Sequence, residues 1–271
     1  MMNISLAVFS YPFIQRALIA GGLISVCAAL LGVILVLKRY SMIGDGLSHV
    51  GFGTMAIALS MNWAPLGFSI PICVLAAFLL LRVSGESSLK GDAAIALISS
   101  SSLAIGIMVT SITSGLNTDV TSFMFGSILA IQKIDVMISI ALAIVVLGLF
   151  VLLYNRIFLV TFDESFATAS GIHSGIYNGI IAVLTALTVV IGMRLMGAMM
   201  ISSLVVFPAL SAMRIFKGFF KVVITASFVS LLCFFAGIFS SIAWSTPAGA
   251  SIVCANLVVF LLCAIAGRVF R

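Results

Sequence analysis

The sequence predicts an all-α fold: a polytopic transmembrane helical bundle of about nine spans, with eight as the alternative count. Three observations predict it. Hydrophobic residues make up 63% of the 271, and charged residues 7%, against roughly 25% in an ordinary soluble domain. Mean hydropathy is +1.38. The apolar residues fall in runs near the roughly 20 residues needed to cross a bilayer as a helix, joined by short connections. So few charges cannot cover a water-facing surface, which excludes a soluble enzyme and a disordered chain. The net charge of +6 does not point to nucleic acid, because the basic residues are scattered singly and form no stripe. The whole chain, residues 1–271, reads as a single transmembrane domain.

The spans follow in order. Residues 1–13 carry no basic n-region and no small-residue cleavage site, so the first apolar run, 17–37, reads as a retained helix. Run 46–62 is short and rich in Gly and polar groups. Runs 65–81, 93–113 and 136–154 complete the first part, and 175–192, 196–213, 222–241 and 249–267 the second. Pro208 lies in the seventh run, where it can kink the helix and free a carbonyl. Cys27, Cys73, Cys233, Cys254 and Cys263 all lie inside apolar runs without a CxxC pair and read as small buried hydrophobes. The 13 methionines, Met196, Met199 and Met200 among them, read as core filler.

Lys and Arg set the orientation. With the N-terminus outside, ten fall in inner segments (Lys38, Arg39 and Arg82 among them) and three (Arg16, Lys133, Arg194) in outer ones. That asymmetry places the C-terminus in the cytoplasm. Tyr40, Tyr154 and Tyr177 then fall at inner span ends, and Tyr11, Trp63 and Trp244 at outer ones, as interfacial aromatics do. Two connections are longer than the rest. The outer one, 114–135, holds Asp119 and an apolar stretch, 123–131, too short to span, which reads as a helix at the interface or dipping part-way in. The inner one, 155–174, contains a short amphipathic stretch, 164–170, with Gly171 as its stop. A cytoplasmic helix parallel to the membrane suits docking to a soluble partner, and an ordinary loop helix is the alternative.

The segment 41–50, SMIGDGLSHV, carries the chemistry. Asp45 and His49 are four apart, so on a helix they share one face, and Ser48 lies between them. An Asp at mid-membrane costs about 2.5–3.5 kcal/mol on insertion scales, and a sequence that bears this beside a His faces a polar path. Carboxylate plus imidazole can grip a divalent ion such as zinc or manganese from one helix face. Two ligands are too few for a closed structural site, which suits permeation. Spacing leaves a second reading open: Asp45 caps the start of the second helix, and His49 bonds to it or to a carbonyl. Asp119 reads as a loop acid at the outer mouth, and His173 as an interfacial residue. Absences narrow the class further. There is no GxxxxGK[ST] loop to bind ATP and no HExxH for an intramembrane protease. The stretch Gly171-Ile-His-Ser-Gly175 is not a nucleophile elbow. An enzyme is not indicated.

Several stretches together resemble the membrane-spanning permease subunit of ABC importers for zinc, manganese and iron. Residues 16–22 and 32–40 are similar to that family's first helix and its basic end. Ile43-Gly-Asp-Gly-Leu-Ser-His49 resembles its Gly-Asp-Ala-Leu-Ser-His motif, with Gly46 at the small residue. Residues 125–130 (FGSILA) resemble its Phe-Gly-Asp/Ser-Ile-Leu element, 162–167 with Gly171 its coupling segment, 199–209 its late Pro-Ala motif, and 246–249 the turn before its last helix. In the late motif Ser and Val stand where members often carry other small or branched residues.

The resemblance implies a type II ABC importer-like permease in a bacterial plasma (inner) membrane. It implies a homodimer of permease chains with two ATP-binding subunits and an extracytoplasmic metal-binding protein. ATP sits on the partner subunit, and no covalently bound cofactor is expected; the divalent metal is cargo. Asp45 and His49 become metal-contacting residues, Ser48, Asp119 and Pro208 pathway or gate residues, and Asp163, Glu164, Ala167 and Gly171 part of the coupling helix. The family's range favours zinc slightly. From the residues alone two other classes stay open: a stand-alone secondary carrier or channel using Asp45 and His49, and a membrane scaffold with no pathway.

Overall fold

A computed structural model describes residues 11–86, 88–113, 126 and 131–269. Among them are eleven helices and no strand. The first half comprises α1 (Pro12–Leu37), α2 (Ser41–Ser60), α3 (Pro65–Glu86) and α4 (Ser88–Thr113). The second begins with α5 (Lys133–Leu152) and two short helices, α6 (Tyr154–Phe162) and α7 (Glu164–Ala169). It ends with α8 (Ser174–Met196), α9 (Ala198–Ile215), α10 (Phe219–Trp244) and α11 (Ala248–Val269).

Each of the nine expected spans corresponds to a long helix. Eight are long and apolar enough to cross a membrane, and the chain is a multi-pass membrane protein. The ninth is α2, whose 20 residues measure about 30 Å. Its polar residues lower its hydropathy, and it is enclosed by α3, α4, α8 and α9. Segregation follows from composition. Beyond Gln15 and Arg16, α1 is almost wholly apolar and packs against α5, α8, α9 and α10, so Ile24, Cys27, Leu31 and Ile34 are fully or almost fully buried. α4 and α11 lie at the rim and turn Leu97, Met108, Ile112, Leu257, Leu261 and Ile265 outward, as lipid-facing helices do.

Two crossings depend on small residues, which let helices approach closely where lipid supplies no hydrophobic drive. A Cβ on Gly106 of α4 would lie 2.6 Å from the Gly53 Cα of α2, and one on Gly53 would collide with the Ser102 backbone. A Cβ on Gly32 of α1 would strike the Val205 carbonyl of α9.

Three boundaries differ from the sequence expectation. α2 begins at Ser41, five residues before the expected start. Arg39 adopts φ +62, the Tyr40 N–H donates to the Leu35 carbonyl at 2.7 Å, and burial of Ile43 draws the next turn into the core. α5 stops at Leu152, and the expected inner loop instead starts with α6, which buries Ile157 and Val160. α8 and α9 are separated by Gly197 alone, at φ +91 and ψ 154, a conformation open to glycine and costly for other residues. Of the expected interfacial stretch 123–131, only Gly126 and Ile131 lie within the described residues.

Candidate functional site

Because α2 starts at Ser41, Asp45 stands inside the helix, not at its cap. The N-cap is Tyr40, without a side-chain cap bond, so the capping account of Asp45 is overturned. After Ser41, the first half of α2 is buried except for one stripe, Met42, Asp45 and His49. Asp45 keeps 42% and His49 29% of its side-chain surface, although both sit on an otherwise enclosed helix. His49 Nε2 lies 3.6 Å from Asp45 Oδ2, too far for a hydrogen bond. His49 Nδ1 is buried with no hydrogen-bond partner. Two ligands at ~2.1 Å from one tetrahedral ion are separated by ~3.4 Å, so this gap matches two donors facing a shared cation.

Ser48 turns to the neighbouring helix. Its Oγ donates to the Asp45 carbonyl at 2.7 Å and lies 3.1 Å from Ser202 Oγ on α9. Ser202 belongs to a partly open stripe of α9 that includes Met199 and Val206. Met199 is thus 56% exposed, a correction to its reading as core filler, whereas Met196 and Met200 are buried. Pro208 is buried six residues beyond Ser202, within a continuous helix. Asp119 lies outside the described residues. Among those described, no three His, Cys, Asp or Glu side chains cluster, and Asp45 and His49 are the strong ligands they offer a cation on this stripe.

The ABC 3 transport family model matches residues 10–267. The chain belongs to the ABC 3 transport family. It is 29% identical over 252 residues to the manganese import system permease protein ScaB of Streptococcus gordonii, covering 93% of this chain and 90% of that one. It is 25% identical over 253 residues to the manganese transport system membrane protein MntC of Halalkalibacterium halodurans, covering 93% and 87%. Among solved structures it is similar to PsaBC from Streptococcus pneumoniae in complex with Fab, with a TM-score of 0.86, 27% identity and coverage of 97% and 95%. This ABC 3 chain is a permease subunit, not an enzyme, which decides against the stand-alone carrier and the scaffold.

The family member's second notable surface lies where α1 ends and α7 and α8 begin. α7 is short but firmly built: Asp163 caps it by accepting the Phe166 N–H at 2.8 Å. Ala167 is fully buried against Val160 and Tyr177, and Gly171 ends the turn at φ +81. Glu164 and Phe166 stay exposed. Glu164 reaches back to α1, where Lys38 Nζ lies 3.3 Å from its Oε2. Asn178 of α8 closes the triangle, accepting from Lys38 at 2.5 Å and donating to Glu164 at 2.9 Å. Burial pushes the Lys38 ammonium below its ordinary pKa, and the Glu164 charge opposes that shift. Burial, aided by the same charge, pushes Tyr40 up.

At the opposite end, the buried Asp135 accepts from the Gln132 N–H at 2.9 Å and meets Arg194 Nη2 at 3.3 Å, tying α5 to the end of α8. Sequence reasoning missed both cross-links. Each joins residues far apart in the chain, and the only signal was the solitary charge beside an apolar run.

Proposed function

We propose that this permease is the membrane subunit of an ATP-driven importer that moves a divalent transition-metal ion into the cytoplasm, with Asp45 and His49 contacting the ion in transit. The observation that carries this reading is the Asp45–His49 stripe: two metal-capable donors 3.6 Å apart, open on a helix otherwise enclosed. Manganese is the first metal to test, since two relatives are named for it; zinc and ferrous iron suit the same donor pair.

Two ligands from one chain suit a homodimer in which facing copies complete the shell around the ion. Two ATP-binding chains supply the energy, and an extracytoplasmic metal-binding protein delivers the cargo. The N-terminus faces outside, in a bacterial inner membrane. An inside-negative potential favours entry by about 2.3 kcal/mol per charge per 100 mV, and ATP is needed where the metal is scarce and tightly held.

Coupling runs through residues 163–171. Motion of α7 pulls on Glu164 and through it on Lys38, two residues from the corner that starts α2. Ser48, sharing its hydroxyl contact with Ser202, holds α2 to α9 beside the path. Asp119 and Pro208 are assigned to the outer mouth and to the bending of α9.

The test is manganese uptake into cells expressing the complete transporter. Asp45→Ala and His49→Ala should each abolish uptake while the chain still reaches the membrane. Normal uptake in both variants would remove these residues from the path.

A further inference from the structure

Away from the metal stripe, two openings meet on the flank formed by α5, α6 and α10. The first is a crevice of about 590 Å³ between α1, α5 and α10, within the ~300–1,000 Å³ range of ligand sites. Val26 and Leu30 of α1 meet Leu147 of α5 and Val223, Ile224 and Ser227 of α10 along it. Between α1, α5 and α10 the crevice is apolar, because the Ser227 hydroxyl is already spent on the Val223 carbonyl at 2.9 Å. The second opening, about 540 Å³, lies at the end of the same flank and is lined by Phe158, Phe216, Lys217 and Lys221. Tyr154 and Phe220, whose rings meet edge to face with centroids 6.2 Å apart, line both openings, so the two adjoin. Asn155 adds a carboxamide near the junction. Lys217 and Lys221 are exposed, and neither has an acidic partner among the described residues.

We propose that these two adjoining openings together form a binding site for one anionic phospholipid. An acyl chain lies in the crevice, the glycerol region passes Tyr154 and Asn155, and the phosphate sits between Lys217 and Lys221. The combination selects this occupant. A slot lined by apolar side chains from the last turns of α5, the first turns of α10 and the body of α1, all spanning helices, is open to a lipid tail and closed to a soluble protein. Two unpaired lysines at its mouth favour a negative headgroup over a zwitterionic one. The aromatic residues at the junction sit where interfacial rings meet headgroups.

The experiment is native mass spectrometry of the full-length chain in detergent, equilibrated with equal amounts of phosphatidylglycerol and phosphatidylcholine. The wild type should retain phosphatidylglycerol preferentially. Lys217→Gln/Lys221→Gln should lower that retention about tenfold or more, whereas Arg82→Gln, which removes an exposed charge elsewhere at the same end of the bundle, should not. Ile224→Trp, which fills the crevice with both lysines intact, should weaken retention as well. All four substituted positions are exposed, so folding is preserved. Equal retention of the two lipids, the same loss from Arg82→Gln, or full retention in Ile224→Trp would each overturn the site.

Discussion

Lys38 Nζ sits 3.3 Å from Glu164 Oε2, the lysine side chain 6% exposed and the glutamate 49%. One ion pair therefore joins the short helix presented at the end of the bundle to the corner from which α2, with Asp45 and His49, departs. Its stabilising value is limited by the exposure of the glutamate. Its position is between the surface assigned to coupling and the helix assigned to the cargo, so its removal tests the proposed coupling route.

Replacing the two partners should have unequal effects. Glu164→Ala leaves a buried ammonium with Asn178 alone and should lower stability by about 1–2 kcal/mol. Lys38→Met replaces the buried charge with an apolar side chain and should leave thermal melting in detergent nearly unchanged. Both should depress metal uptake. Normal uptake in Lys38→Met would remove the pair from coupling.

Glu164→Lys sets a second cation beside Lys38 and changes the exposed face of α7. The variant should reach the membrane and fail to co-purify with its ATP-binding partner. Undiminished co-purification would place the docking surface elsewhere than residues 163–171.

Ser202→Ala removes the 3.1 Å contact with Ser48 and leaves Ser48 bonded to the Asp45 carbonyl. Stability should change by less than about 1 kcal/mol. Metal uptake should fall without vanishing, because neither proposed ligand is lost. Uptake as low as that of Asp45→Ala would instead make the Ser202 hydroxyl a ligand in its own right.

Asp135→Ala takes a carboxylate from the first turn of α5 and leaves Arg194 unpaired. A loss of about 2–4 kcal/mol is expected, measured as a lower melting temperature in detergent. Arg194→Met in the same chain should recover part of it, since the orphaned charge is then gone too.

Gly53→Ala should destabilise by about 1–3 kcal/mol, because its Cβ collides with the Ser102 backbone of α4. Gly148→Ala meets open space and should be neutral or stabilising by up to about 1 kcal/mol. Equal melting temperatures for the two variants would contradict the close α2–α4 crossing.

Much of this architecture was written along the chain. Runs of apolar residues marked nine helices, because a lipid-facing helix must satisfy its backbone internally and present hydrocarbon outward. Gly171 announced the end of α7, as its φ of +81 demands. The i, i+4 spacing put Asp45 and His49 on one face. The start of α2 was not legible: the burial of Ile43 against other helices carries that helix back to Ser41, and local signals around Asp45 imitate a cap.

By itself the sequence determined the fold class, about nine long apolar runs that each match a helix among the described residues, and the pairing of an acid with an imidazole, since each follows from periodicity and composition within a single segment. Tertiary structure alone decided that this pair stays open on an otherwise enclosed helix, that Ser48 meets Ser202, and that Lys38 and Asp135 find Glu164 and Arg194. The reason is physical: which face of a helix stays open, and which distant charge answers a buried one, depends on neighbours that packing supplies.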